Sequence, residues 1–180
     1  MKKIIILFVI AIITSCGSQK KAIVKKNVTA KKNTRGNLVG IADKKSFLKA
    51  PYQNWFNRNY NNYKADDKVV TQIKKNIKGI TVKGFMGTWC GDSKRETPRF
   101  YKIMEKVGFN FKNLEMITVN RSKKTPDNLQ EGYTIIRVPT FIFYKKGKEI
   151  GRFVEYPRET LEKDILKIVS GKPYKHSYEK

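Results

Sequence analysis

The chain has 180 residues, with 39 Lys and Arg against 15 Asp and Glu, a formal net charge of +24, one histidine and two cysteines. The length suits one domain with a short addition, and an apolar fraction of 39% is low for a globular protein yet too high for a wholly disordered chain. A single histidine, His176, in the C-terminal tail leaves a Cys/His zinc cluster or a Ser-His-Asp triad without support; two cysteines cannot build a disulfide scaffold; and no glycine-rich phosphate loop occurs, so neither a metal nor a cofactor is implied.

Lys2 and Lys3 precede an unbroken apolar run, Ile4 to Ile13. Ten helical residues rise about 15 Å, half of a bilayer core, so the run is too short to span and fits the apolar region of a secretory signal peptide. Ile13-Thr14-Ser15-Cys16 follows, and a small residue directly before a cysteine at this place resembles the lipobox of bacterial lipoproteins. That resemblance implies removal of residues 1–15 and a lipid on Cys16, with the mature protein in the bacterial cell envelope, anchored to the membrane and facing the periplasm. Cys90 is then the one remaining thiol, in a compartment where disulfides persist.

Residues 16–44 read as a lipid-anchored flexible tether. Seven basic residues fall between Lys20 and Arg35 before the first acid, Asp43, with little apolar content and no periodicity. Such a charge suggests nucleic acid, but the address argues against it. Attraction to anionic lipid and a merely solvated spacer are both open readings of the tether.

The folded domain is expected over residues 45–180. After Pro51, the aromatics Tyr52, Trp55, Phe56, Tyr60 and Tyr63 recur at helical spacing, as core or docking surface. Asp66 and Asp67 cap a second helix carrying Val69, Val70, Ile73 and Ile77, and Gly79 ends it. Ile80–Met86 reads as a strand, the stretch from Cys90 toward Gly108 as a helix, and Leu114–Val119 as a second strand, which implies a right-handed parallel crossover. Residues 120–133 read as a loop. Thr140–Tyr144 and Glu149–Val154 form a hairpin around Lys145-Lys146-Gly147-Lys148, and Pro157–Gly171 forms a last helix before a polar tail.

The chemistry is expected at Phe85-Met86-Gly87-Thr88-Trp89-Cys90-Gly91-Asp92-Ser93, which joins a strand to a helix. A cysteine at a helix start faces N–H groups without helical partners, and these favour thiolate over thiol. Lys94 and Arg95 add to that field and Asp92 opposes it. The alternative for Cys90 is an inert buried thiol.

Trp89-Cys90-Gly91-Asp92-Ser93 resembles the W-C-G-x-C site of the thioredoxin superfamily, with Ser93 in place of the second cysteine. Pro98 falls where that family has a proline in its active-site helix, and Val138-Pro139-Thr140 is similar to its cis-proline turn. The resemblance covers about residues 78–170 and is closest to extracytoplasmic, membrane-tethered members. It implies an α/β thioredoxin-like fold, a central mixed sheet flanked by helices with an N-terminal helical extension. It also implies a site in which Cys90 and Ser93 are catalytic and Trp89, Gly91, Asp92, Val138 and Pro139 contact substrate; Thr88 and Arg137 are neighbours.

Two departures stand out: Ser93 removes the resolving thiol, and Gly84 stands where typical thioredoxins have a buried acid. The expected function is therefore thiol–disulfide exchange through one cysteine, an oxidoreductase of monothiol type. Its partners are thiol- or disulfide-bearing envelope proteins or small thiols. The alternative is a redox-inactive binding module for envelope proteins. Peroxidase chemistry is disfavoured because P-x-x-x-T-x-x-C is absent.

Overall fold

The structure is a computed structural model that describes residue 27 and residues 29–179. The expected leader, the expected lipid site at Cys16 and the first part of the tether lie outside the described residues. No helix among the described residues is long and apolar enough to cross a membrane.

Two strands open the described chain, β1 (Lys31–Lys32) and β2 (Leu38–Ala42), followed by helices α1 (Lys44–Phe47), α2 (Gln53–Asn62) and α3 (Asp67–Asn76). Then come β3 (Ile80–Met86), α4 (Gly91–Lys106), β4 (Leu114–Thr118), β5 (Thr140–Lys145), β6 (Lys148–Val154) and α5 (Leu161–Ser170). One six-stranded sheet has the order β1-β2-β4-β3-β5-β6. Only β3 and β4 pair in parallel, with α4 as their crossover; β2–β4, β3–β5 and β5–β6 are antiparallel. This is the mixed α/β sheet expected.

Strand β3 is central, and its Ile80, Val82, Phe85 and Met86 are all buried. Alternation splits them between two apolar clusters. The larger joins one sheet face to residues from all five helices, including Phe47, Phe56, Ile73, Phe100 and Ile165. The smaller lies on the other face, where Phe85, Ile117 and Ile142 pack with Val119 and Val138 beneath Leu129, Tyr133 and Ile135 of the long loop between β4 and β5. Cys90 and Trp89 pack against this second cluster.

The α3 cap acts as read, and a further helix, α1, carries a cap of its own. Asp66 accepts from the N–H groups of Lys68 and Val69 at the start of α3, and Asp43 and Ser46 close a reciprocal cap on α1. Three boundaries need correction. Residues 38–42, assigned to the tether by composition, form β2, whose Gly40, Ile41 and Ala42 pair with Thr118, Ile117 and Met116. The folded unit thus begins before residue 45, and Ala30 already packs on the core. Helix α5 starts at Leu161 under a Thr160 cap rather than at Pro157, because the Arg158 N–H is drawn to the Asp164 carboxylate at 2.7 Å. The polar tail folds back: Tyr174 donates to Asp164 at 3.1 Å and His176 is buried.

Candidate active site

Strand β3 ends at Met86, and Gly87, Thr88 and Trp89 carry the chain to Cys90, the N-cap of α4. The cap is made by backbone: Cys90 N–H donates to Gly87 C=O at 2.9 Å, and Cys90 C=O accepts from Lys94 N–H at 3.0 Å. The sulfur makes no capping bond. Instead Cys90 Sγ donates to Val138 C=O at 3.2 Å. The Val138–Pro139 peptide is cis. The structure therefore brings Cys90, Val138 and Pro139 together across a separation of 48 residues, as the motifs implied. The thiol is half-buried and belongs to no disulfide.

The loop is held from several sides. Trp89 Nε1 donates to Val119 C=O at 2.9 Å. A side chain on Gly87 would start 2.5 Å from the indole, so only glycine lets the ring lie flat there. Thr88 is buried, and its Oγ1 accepts from Leu38 N–H of β2 at 3.1 Å. Thr88 is thus a structural neighbour that ties the N-terminal strand to the loop.

Ser93 is fully buried, and its Oγ accepts from Gly87 N–H at 3.1 Å. The bonding of this hydroxyl is with the loop backbone, while the sulfur bonds Val138. A Cβ on Gly91 would meet nothing within 4 Å. Gly84 is closed off: a Cβ there would lie 2.8 Å from Met116 Sδ and 3.3 Å from Phe141. Met116 fills the volume a buried acid would need.

Charges around α4 are mostly paired. Asp92 meets Arg95 at 2.6 Å, and Arg95 also meets Glu96 at 2.6 Å. Burial works against the Arg95 charge, but its bonds to Glu96 and Asp92 win, and its pKa is raised. Arg95 therefore answers Asp92 and Glu96 rather than the sulfur. Glu96 is fully buried with Arg99 3.0 Å away; burial raises its carboxyl pKa despite both guanidinium groups. Arg137 lies 3.9 Å from Glu155 and over the Tyr178 ring at 5.4 Å, beside the cis-proline turn. Sequence reasoning missed Arg121, whose guanidinium stacks 5.4 Å from the Trp89 ring centre. A lone arginine in a loop 31 residues after Cys90 carries no signal of that contact.

No group of three His, Cys, Asp or Glu side chains able to hold a metal ion occurs among the described residues. The ends of the site are well pinned: Pro139 C=O accepts from Glu155 N–H at 2.7 Å, and Arg137 C=O accepts from Thr140 Oγ1 at 2.8 Å. The N–H of Val138, between them, and that of Ile136, just before them, have no acceptor among the described residues; Ile136 is 46% exposed, whereas Val138 is buried.

A half-buried thiol at a strand-to-helix junction, facing the carbonyl before a cis-proline, defines a thioredoxin-like protein. A thioredoxin family model matches residues 43–167, and the chain belongs to the thioredoxin family. It is 33% identical over 96 residues to a thioredoxin-like protein of Acanthamoeba polyphaga mimivirus, a match covering 53% of this chain and 67% of the viral protein. Human thioredoxin is 32% identical over 93 residues, 50% of this chain and 80% of its own length. Among solved structures, a Pseudomonas aeruginosa protein of unknown function superposes with a TM-score of 0.57 at 16% identity, over 73% of this chain and 93% of that one, which speaks to fold alone. A thioredoxin-like domain suggests thiol–disulfide redox function.

Proposed function

We propose that this protein performs thiol–disulfide exchange through Cys90 alone, as a monothiol member of its family held at the bacterial cell envelope by a lipid on Cys16. The observation that carries the exchange is the Cys90 sulfur, on the N-cap residue of α4 and placed 3.2 Å from Val138 C=O before the cis-proline. The unpaired N–H of exposed Ile136, just before the cis-proline turn, offers an extended substrate strand a partner. What supports the address is the charged, apolar and Cys-terminated leader of the sequence.

In the exchange, the Cys90 thiolate attacks one sulfur of a substrate disulfide. A new bond joins Cys90 to that sulfur, the substrate's S–S bond breaks, and the departing thiolate takes up a proton. A dithiol enzyme would release the adduct by internal attack, at effective molarities that reach about 10⁵ M. Ser93 has no sulfur, and its hydroxyl serves Gly87. Release therefore waits for an external thiol, and the adduct persists.

A second reading, a binding module without turnover, is favoured by the same Cys90–Val138 bond, which already occupies the thiol. Peptide mapping separates the two. Protein purified from bacterial membranes and incubated with hydroxyethyl disulfide is expected to carry an adduct on Cys90 and a diacylglyceryl thioether on Cys16. In Ser93→Cys the Cys90 adduct is expected to collapse to a disulfide between positions 90 and 93. An unmodified Cys90 sinks the exchange reading, and an unmodified Cys16 sinks the anchor.

A further inference from the structure

A cavity of about 270 Å³ opens beside the loop that carries Cys90. One wall is the β1–β2 turn with Asn33, Arg35 and Asn37; the other is the turn after β4 with Asn120, Arg121 and Ser122. No Asp or Glu lines it. Neither guanidinium has an ion pair among the described residues, although most cations around α4 do.

Two of its three asparagines, Asn33 and Asn120, show what the cavity offers. Asn33 Oδ1 accepts from the N–H groups of Arg35 and Asn37, each at 3.0 Å. Asn120 Oδ1 accepts from Lys124 N–H at 2.9 Å. Both amide oxygens are spent closing their own turns. Each side chain therefore has its NH₂ group left to give. Two guanidinium groups and two amide donors, with no carboxylate, make a lining complementary to an anion.

Both walls are tied to the loop that carries the nucleophile. Arg121 stacks on Trp89, the residue before Cys90, at 5.4 Å. Leu38, next to Asn37, donates its N–H to Thr88 of the same loop at 3.1 Å. The volume lies just under the roughly 300 Å³ at which ligand pockets begin, which suits one short arm of a substrate rather than a whole cofactor. We infer that this cavity is a carboxylate subsite for the exchange at Cys90, and that the protein's reacting partners are small disulfides and thiols that carry carboxylates. The inference rests on the exchange reading above.

In the step itself, Cys90 sulfur bonds to one half of the small disulfide, whose carboxylate lies between Arg35 and Arg121. The disulfide's own bond breaks, and the other half leaves as a thiol carrying the proton that Cys90 gave up.

Three disulfides of similar reach test this: dithiodipropionate with two carboxylates, hydroxyethyl disulfide with no charge, and cystamine with two ammonium groups. Rates of adduct formation on Cys90 are read by peptide mass at about 0.15 M salt, where charges more than about 8 Å apart are screened. The expected order is dianion, neutral, dication. Joint Arg35→Gln and Arg121→Gln replacement is expected to lower the dianion-to-neutral rate ratio by about fivefold, the scale of two exposed ion pairs. Arg35→Gln alone, which leaves the Trp89 contact intact, is expected to lower it in part, and Arg121→Lys to keep most of it. Lys74→Gln controls for overall charge, since α3 precedes β3 and Cys90 follows its far end, about 20 Å along a seven-residue strand; it should leave the ratio unchanged. A dianion no faster than the neutral disulfide, or a ratio that Lys74→Gln lowers as much as the arginine replacements do, overturns the subsite while leaving exchange standing. No adduct from any of the three overturns the exchange reading and the subsite together.

Discussion

Ser93 stands one helical turn from Cys90, where a second thiol would close the exchange cycle, yet its hydroxyl has been absorbed by the fold. It is fully buried and accepts from Gly87 N–H at 3.1 Å, in a loop where Gly87 is itself buried. Two demands therefore meet at this residue: an acceptor for the loop, and chemistry beside the sulfur. A serine meets the first as an acceptor, but having no sulfur it cannot release an adduct from Cys90. Ser93→Ala leaves the buried Gly87 N–H unpaired, an effect of about 1–3 kcal/mol in unfolding free energy. Ser93→Cys should lose less, since sulfur is a weak acceptor rather than none. Urea unfolding of the two variants orders them. An alanine variant as stable as the parent would show that the bond to Gly87 contributes nothing.

At the scale of elements, β2 changes what the N-terminal region is. Its Leu38 N–H ends on Thr88 Oγ1, so the first long strand is bonded to the active-site loop as well as to β4. Thr88→Val keeps the shape and removes the acceptor. It is expected to destabilise the protein by about 1–3 kcal/mol and to speed amide exchange at Leu38 ahead of the rest of β2. Unchanged exchange at Leu38 would dissolve the tie. The same strand shows where sequence stops being legible. Ile80–Met86 and the α4 helix were readable because apolar runs, a turn glycine and a cap are local signals. The β5–β6 hairpin was readable to within one residue for the same reason. Leu38–Ala42 is just as apolar, but it sits among lysines, and what makes it a strand is β4, about 76 residues away in sequence. The site divides in the same way. Cys90 and Pro139 lie in short motifs, whereas the Ser93–Gly87 bond, the Arg121–Trp89 stack and the asparagine-closed cavity depend on side-chain directions or on long-range contact. Six residues separate Gly87 from Ser93, yet no pattern says which way that hydroxyl turns.

For the molecule as a whole, the ionisable groups that burial holds neutral are mostly tyrosines. Burial pushes Tyr60 up to about 12, helped by its bond to Glu105, and pushes Tyr144 up to about 12, helped by the charge of Glu149. Tyr52, Tyr63, Tyr101 and Tyr174 are raised too, burial leading in each. On the acid side the groups oppose one another. Glu96 and Asp164, raised by burial, favour the fold at low pH and lose that contribution as pH climbs. His176, lowered by burial, contributes more as pH rises toward its ordinary 6.5. The alkaline side is cleaner. An unfolded tyrosine releases its proton near 10.0, while folded Tyr60 and Tyr144 keep theirs to about 12. Between those values the native state binds more protons than the unfolded one, so stability present below pH 10 is lost as pH rises. Loss of positive charge at alkaline pH relaxes the repulsion of a +24 chain, which acts in the opposite sense. The parent curve mixes both effects; a difference between two curves does not. Tyr144 has no hydroxyl bond among the described residues, so Tyr144→Phe removes one titration and little else. Denaturant midpoints taken at intervals from pH 9 to pH 12 are expected to fall less steeply in Tyr144→Phe than in the parent, the two diverging above pH 10. Parallel curves would mean that Tyr144 titrates alike in both states and that burial beside Glu149 does not hold its proton.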